Sequence, residues 1–338
     1  MSTPTELAGK RVLVTGASGF LGSRTVAALT DHGCAVHALV RKSSRTDHLR
    51  LPGVTLYQGD IADPTSLQPA FAGIDYVVHA AADTRGDQEA GESITLRGTR
   101  YILALAEQLK VGKLIYISSC SVYETADCRP GEIVTEESSL ERFPEWRGSY
   151  SHAKFLAEQV VRRAMERGNV PTVCLRPGTI YGPGGNVYTP MMGFSLGHRL
   201  FGVIGDGGLI LPLVFVDNLV EAILAALADP AAISRIYNVV DPEKVTKREY
   251  MERLVQKIHS NSRTVYIPLR LLKILVFLQE KAFRAIKRRP FLTLYRLNSS
   301  QNPVVYEAGK ISRELGWRPP VSTQTAFSTL IQYAAGRN

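Results

Sequence analysis

Residues 11–22 read Arg11-Val12-Leu13-Val14-Thr15-Gly16-Ala17-Ser18-Gly19-Phe20-Leu21-Gly22, and this stretch decides the fold. An apolar run ends in three glycines spaced three apart, and Ser23 to Leu29 then reads as a helix. Strand, glycine turn and helix together make a phosphate seat. The first glycine permits a tight turn, the second admits a pyrophosphate against the backbone, and the third lets helix and strand pack closely. Free N–H groups and the positive end of the helix dipole then face the anion. A lone triplet of this kind is equally an ordinary tight turn. Its place near the N-terminus, directly after a strand, and the stretches that follow give it weight.

Working outward, apolar strands are expected at Cys34 to Val40, Val54 to Gln58, Asp75 to Ala82, Lys113 to Ser119, Thr172 to Leu175 and Arg235 to Val239. Helical patterns lie between them at 67–72, 94–109, 150–167 and 217–228. Apolar strands alternating with helices predict an α/β fold, a doubly wound parallel sheet covered on both faces. Residues 8–182 plus about 212–240 are expected to form this dinucleotide-binding domain. Residues about 183–211 plus 241–335 differ in texture and are expected to form a smaller, discontinuous substrate-binding lobe.

The chain of 338 residues carries a net charge of +9. Eight bases and one acid, Glu280, lie between Pro268 and Arg296, so the excess is local. A nucleic-acid footprint is not expected. Residues 1–10 are polar and do not read as a signal peptide, and no run reaches the roughly 18 apolar residues of a membrane span. Cys34, Cys120, Cys128 and Cys174 show no metal-type pairing; Cys34 and Cys174 read as buried thiols, and a cytoplasmic location is the simplest expectation. No His, Cys or acid cluster has metal-ligand spacing.

Arg41, Lys42 and Arg45 follow the second strand, with no acid at its end. An acid there suits the ribose 2′-hydroxyl of NAD and a base the 2′-phosphate of NADP, so NADP is the expected cofactor and NAD the alternative. A solvated basic loop is the plainer reading. Tyr150 and Lys154 begin a helix, and positions i and i+4 share a face. A Lys⁺ beside a phenol favours the phenolate, which is expected to lower the Tyr150 pKa and make it a proton donor and acceptor at a carbonyl or hydroxyl. Ser119 ends the fifth strand, at the sheet edge where ligands bind, and can orient a reacting oxygen. By itself the Tyr-Lys pair also fits a surface helix.

These pieces together resemble the extended short-chain dehydrogenase/reductases, the NAD-dependent epimerase/dehydratase type with a Rossmann sheet. The matching stretches are Thr15 to Gly22, Gly59-Asp60-Ile61, His79 to Ala82, Ser118-Ser119 before Val122-Tyr123, and Tyr150 with Lys154. Arg176-Pro177, Tyr181 to Gly184, Phe215 to Asn218, Tyr237-Asn238-Val239, and Glu314 to Trp317 with Pro319 follow in family order. The resemblance implies a dinucleotide loop of Gly16, Ser18, Gly19, Phe20, Leu21 and Gly22. It places Asp60 and Ile61 beside adenine, Ala80, Ala81 and Ala82 along the cofactor, and Pro177 beside the nicotinamide. Ser119, Tyr150 and Lys154 become the catalytic trio, with Tyr150 and Lys154 also touching the cofactor. Helices at 94–109 and 150–167 become candidates for a homodimer bundle.

Two departures matter. Thr95 stands where the family often has Asn, and Leu211 where many nucleotide-sugar members have an Arg for the substrate diphosphate. Losing that cation removes a strong charge-assisted contact. The segment 268–296 resembles the extra helical region of 3β-hydroxysteroid dehydrogenase-like members. It reads as a core-packing helix with a basic edge, as a lid over an apolar pocket, or as a peripheral membrane contact. His79 reads as a packed imidazole and His152 faces away from Tyr150. Asp83, Thr84 and Asp87 are candidates for substrate contact or loop capping, and Asp217 for capping the helix it begins. The expected function is reversible hydride transfer between NAD(P) and a secondary alcohol or ketone of an apolar or lipid-like small molecule. The alternatives are a nucleotide-sugar epimerase, dehydratase or 4-ketoreductase, and a non-catalytic NADP-binding regulator.

Overall fold

The structure, a computed structural model, describes residues 7–82, 94–197, 199–288 and 290–336. Asp83, Thr84, Asp87 and Arg289 therefore lie outside the described residues. Seven strands form one parallel sheet: β1 (Arg11–Thr15), β2 (Ala35–Val40), β3 (Val54–Gln58), β4 (Tyr76–His79), β5 (Lys113–Ile117), β6 (Thr172–Pro177) and β7 (Ile236–Val239). Their spatial order is β7-β6-β5-β4-β1-β2-β3, so the chain leaves β1 in one direction and later returns to its other side. This is the Rossmann order, and its switch point lies between β1 and β4.

Side-chain alternation assigns the two faces of the sheet. Val12 and Val14 of β1 join one core, with Leu21, Val26 and Leu29 of helix α1 (Phe20–Asp31). Leu13 joins the other, with Ile102 and Ala106 of α2 (Ile94–Gln108) and Ala157 and Val161 of α3 (Ser149–Arg167). Helix α4 (Val216–Ala228) adds Leu219 and Ile223 to the first face. The inner strands read as near-continuous apolar runs because both faces are covered, whereas the edge strand β3 is half-exposed.

A third core gathers Tyr181, Phe201, Phe215, Tyr250 and Phe327, with Tyr181 edge-on to Phe215 and Phe327. Beside it stands a small sheet of Gly193–Leu196, Leu200–Ile204 and Arg263–Ile267. Helices α5 (Leu269–Ala285) and α6 (Leu294–Gln301) follow.

Two local expectations are corrected. The helix expected at 67–72 begins earlier: Asp63 accepts the Thr65 N–H at 3.0 Å, Pro64 takes the first helical position, and a tighter turn follows over Gln68–Phe71. Asp217 does not cap α4. Phe215 holds the N-cap position without a side-chain bond, while Asp217 sits in the first turn, 3.7 Å from Arg24.

Candidate active site

One cleft of about 1430 Å³ opens along the carboxyl edge of the sheet. Gly16, Ser18, Gly19, Phe20, Leu21 and Gly22 line one end of it. Gly16 adopts φ of +70°, and a Cβ there would lie 2.8 Å from the Ala81 amide nitrogen. A Cβ on Gly22 would come within 2.0 Å of the Gly16 carbonyl oxygen. Neither position accepts a side chain, so loop, helix and strand β4 meet at backbone distance. Gly19 caps α1 with no side-chain bond, leaving the first-turn N–H groups without a side-chain acceptor. Arg41, Asp60, Ile61, Ala80, Ala81, Ala82 and Pro177 also line the cleft. Arg45 is exposed and does not line it; Ser44 does, accepting from Ser18 Oγ at 3.1 Å.

His79 ties the two strands of the switch point together. Thr99 Oγ1 donates to the Thr95 carbonyl at 2.7 Å, so it accepts from His79 Nε2–H at 3.1 Å. That leaves His79 Nδ1 to accept the Thr15 hydroxyl at 2.7 Å, while Thr15 Oγ1 accepts the Ala81 N–H at 3.3 Å. Burial first, and the Lys154 charge second, lower the imidazole pKa to about 3, so the ring is neutral. His79 is thus the packed imidazole expected of it.

Ser119, Tyr150 and Lys154 line the middle of the same cleft. Gly148, at φ of +93°, starts α3 one residue before Ser149 and aims its first turn at the end of β5. Lys154 is buried, with Nζ donating to the Ile117 carbonyl at 2.6 Å and lying 5.3 Å from the Tyr116 ring centre. Burial lowers its pKa to about 8, against the raising influence of Cys174 and Glu158. The phenol departs from expectation. Burial raises the Tyr150 pKa, the Ser119 hydrogen bond pulls it down, and Cys120 raises it again. The Lys154 ammonium makes its hydrogen bond to the Ile117 carbonyl, and the net direction at the phenol is upward, not the lowering expected from a neighbouring Lys⁺.

A third residue on the same helical face escaped the sequence reading. Glu158 stands four residues beyond Lys154 and accepts from Ser118 Oγ at 2.5 Å and from Arg176 Nη2 at 2.5 Å. Arg176 Nη1 donates to the Tyr123 hydroxyl at 2.6 Å, which donates to Asn238 Oδ1 at 2.6 Å. This buried network fastens α3 to the ends of β5, β6 and β7. The i, i+4, i+8 spacing from Tyr150 was the available signal.

Residues 12–239 match the model of the NAD dependent epimerase/dehydratase family. The chain belongs to that family. Within it, the chain is 30% identical to short-chain dehydrogenase/reductase family 42E member 1 of Homo sapiens, over 97% of this chain and 88% of that one. It is 27% identical to 2-alkyl-3-oxoalkanoate reductase of Stenotrophomonas maltophilia (strain K279a), over 95% and 98%. The crystal structure of gox2253 superposes with a TM-score of 0.82 at 26% identity, covering 98% of this chain and 99% of that one.

The far half of the cleft carries Met191, Phe194, Ile204, Ile267, Leu272 and Leu297, and Ser299, Ser300 and Asn302 line the cleft as well. Leu211 is buried in the third core and does not line the cleft. Arg147 lines it but is committed to Glu141 at 2.8 Å. The Arg296 guanidinium packs against Gly148 and has no acid within ion-pair distance among the described residues.

Proposed function

We propose that the chain is an NADP(H)-dependent reductase acting reversibly on a secondary alcohol or ketone with apolar or lipid-like substituents. The supporting observation is convergence: the glycine loop, the uncapped start of α1, and Ser119, Tyr150 and Lys154 line one cleft that also carries an apolar wall of Met191, Phe194, Ile204, Ile267, Leu272 and Leu297. The loop fits a pyrophosphate, since two of its glycines leave no room for a Cβ and the α1 N–H groups are open. Arg41 at the end of β2, with no acid beside it, favours the 2′-phosphate of NADP. In this reading residues 8–182 plus about 212–240 hold the cofactor, and about 183–211 plus 241–335 the substrate.

The nicotinamide, when bound, supplies or accepts the hydride. Ser119 Oγ fixes the substrate oxygen, and Tyr150 Oη delivers its proton in reduction. Lys154⁺, anchored by Ile117 and kept in register by Glu158, holds positive charge beneath the site. The relative named for reducing 2-alkyl-3-oxoalkanoates is consistent with an apolar ketone. The same reading carries a homodimer through α2 and α3, checked by light scattering.

Tyr150→Phe tests the reading. Turnover of a long-chain ketone with NADPH should fall about 10²–10⁴-fold while the dinucleotide Kd stays unchanged. Near-normal turnover would remove Tyr150 from the chemistry. A nucleotide-sugar reading is favoured by one observation: Arg296 lines the cleft with no acid within ion-pair distance among the described residues, and its guanidinium suits a diphosphate. Product formation from a nucleotide sugar without net NADPH consumption would select it.

A further inference from the structure

Helix α5 fully buries only Val276. Leu271, Ile274, Leu275 and Leu278 fall at i, i+3, i+4 and i+7, a single stripe. They are 50, 58, 53 and 57% exposed. Phe277 and, past the helix, Ile286 are exposed as well, while Phe291 packs against Phe283, 5.0 Å between ring centres. The opposite side carries Val276 and Leu272, the latter a wall of the cleft. The helix therefore has two apolar faces, one of them turned to solvent. A core-packing role for this segment, the plainest of the sequence readings, would have put the stripe inside.

Around the patch stand the exposed bases Arg270, Lys281, Arg284, Lys287 and Arg288. Glu280, the one acid of the segment, is engaged with the Leu294 N–H at 2.8 Å. Lys281 Nζ lies 5.5 Å from the Phe277 ring centre, so its charge sits at the edge of the apolar surface.

We propose that this face seats the protein on an anionic lipid surface. Leucine, isoleucine and phenylalanine side chains sink below the headgroups, while the long basic side chains reach up to lipid phosphates. Charge decides against a second copy of the chain as the occupant. A two-fold contact would set base against base, with no acid in the segment free to answer them. Leu272 on α5 and Leu292 just beyond it wall the substrate half of the cleft, so docking holds that wall against the bilayer. An apolar substrate then passes between membrane and cleft without crossing water. Only this last step rests on the reductase reading; the docking stands on the outward face alone.

The test is co-sedimentation of the full chain with vesicles of phosphatidylcholine, with and without phosphatidylglycerol, and no substrate present. Binding is expected to the mixed vesicles, to weaken as salt rises toward about 1 M, and to fall at least about tenfold in Ile274→Asp with Leu278→Asp. Lys281→Gln with Arg284→Gln should lose the preference for anionic lipid. Both pairs are solvent-facing, so unchanged thermal melting and dinucleotide binding certify the fold. Failure of the native chain to sediment, or equal sedimentation of Ile274→Asp/Leu278→Asp, would overturn the proposal. So would a native dimer that this variant splits, which would make the face a self-contact. Turnover of a water-soluble ketone by the same variant reads the reductase separately: its loss with Tyr150→Phe leaves the docking result untouched.

Discussion

Replacing Glu158 with leucine would strand a buried guanidinium. Arg176 loses acceptors at 3.0 Å from Nε and 2.5 Å from Nη2, and the Ser118 hydroxyl loses its acceptor as well. Two charge-assisted hydrogen bonds at about 1.5–3 kcal/mol each give a loss of about 3–6 kcal/mol. The general cost of leaving one member of a buried ion pair unpaired is about 3–5 kcal/mol. The two routes overlap near about 4 kcal/mol. Removing both charges is a different matter, because the pair's attraction is largely offset by the desolvation of two ions. Glu158→Leu with Arg176→Met should therefore lie within about 1–2 kcal/mol of the native chain. Urea denaturation of the three proteins, compared at a common slope, measures this. A single variant within about 1 kcal/mol of native, or a double variant as damaged as the single, would refute the reasoning.

Arg41→Ser should lower kcat/KM for NADPH about tenfold and leave the NADH value in place; parallel cofactor titrations check it, and equal losses with both would deny Arg41 its phosphate. Because burial brings the Lys154 pKa down to about 8, its charged fraction falls about tenfold per pH unit above that value. A pH profile of kcat/KM should therefore decline on the alkaline side of about pH 8, and Lys154→Met should abolish that limb together with most activity. Gly22→Ala forces a methyl to within 2.0 Å of the Gly16 carbonyl oxygen. Thermal melting should show a loss of about 1–3 kcal/mol, and dinucleotide should no longer raise the midpoint.

What the sequence made legible was whatever depends on near neighbours. The strand β3 ends where it was expected, at Val54 and Gln58, because an apolar run bounded by turn residues marks both ends. The start of α1 was placed late. Helical periodicity becomes visible only after Ser23, whereas the backbone turns helical at Phe20 under a glycine that offers no cap signature. The short strands between Gly193 and Ile204 escaped because they carry little alternation of their own: Gly193–Leu196 pairs with Leu200–Ile204, and that strand finds its other neighbour in Arg263–Ile267, some sixty residues on. The i, i+4 rule placed Tyr150 and Lys154 on one face, and both line the cleft. It could not say which partner the ammonium would choose: the Ile117 carbonyl becomes a neighbour only after β5 and α3 have packed. Glu158 and Arg176 meet for the same reason, across eighteen residues and two elements. The amphipathic pattern of α5 was plain in the sequence, but which of its apolar faces would turn outward is a matter of tertiary placement.

The neutral imidazole under the glycine loop has an acid liability. A free histidine takes up a proton near pH 6.5; His79, held to about 3, refuses it. Between those two values the unfolded chain gains a proton that the native one does not, so native stability drains as pH drops, by up to about 1.4 kcal/mol for each unit. When that ring is finally charged, Nδ1 can no longer accept from Thr15, the residue immediately before Gly16. One protonation event thus loosens the middle of the sheet and the coenzyme's berth together. A sample that has lost its grip on dinucleotide after acid exposure will also have begun to melt.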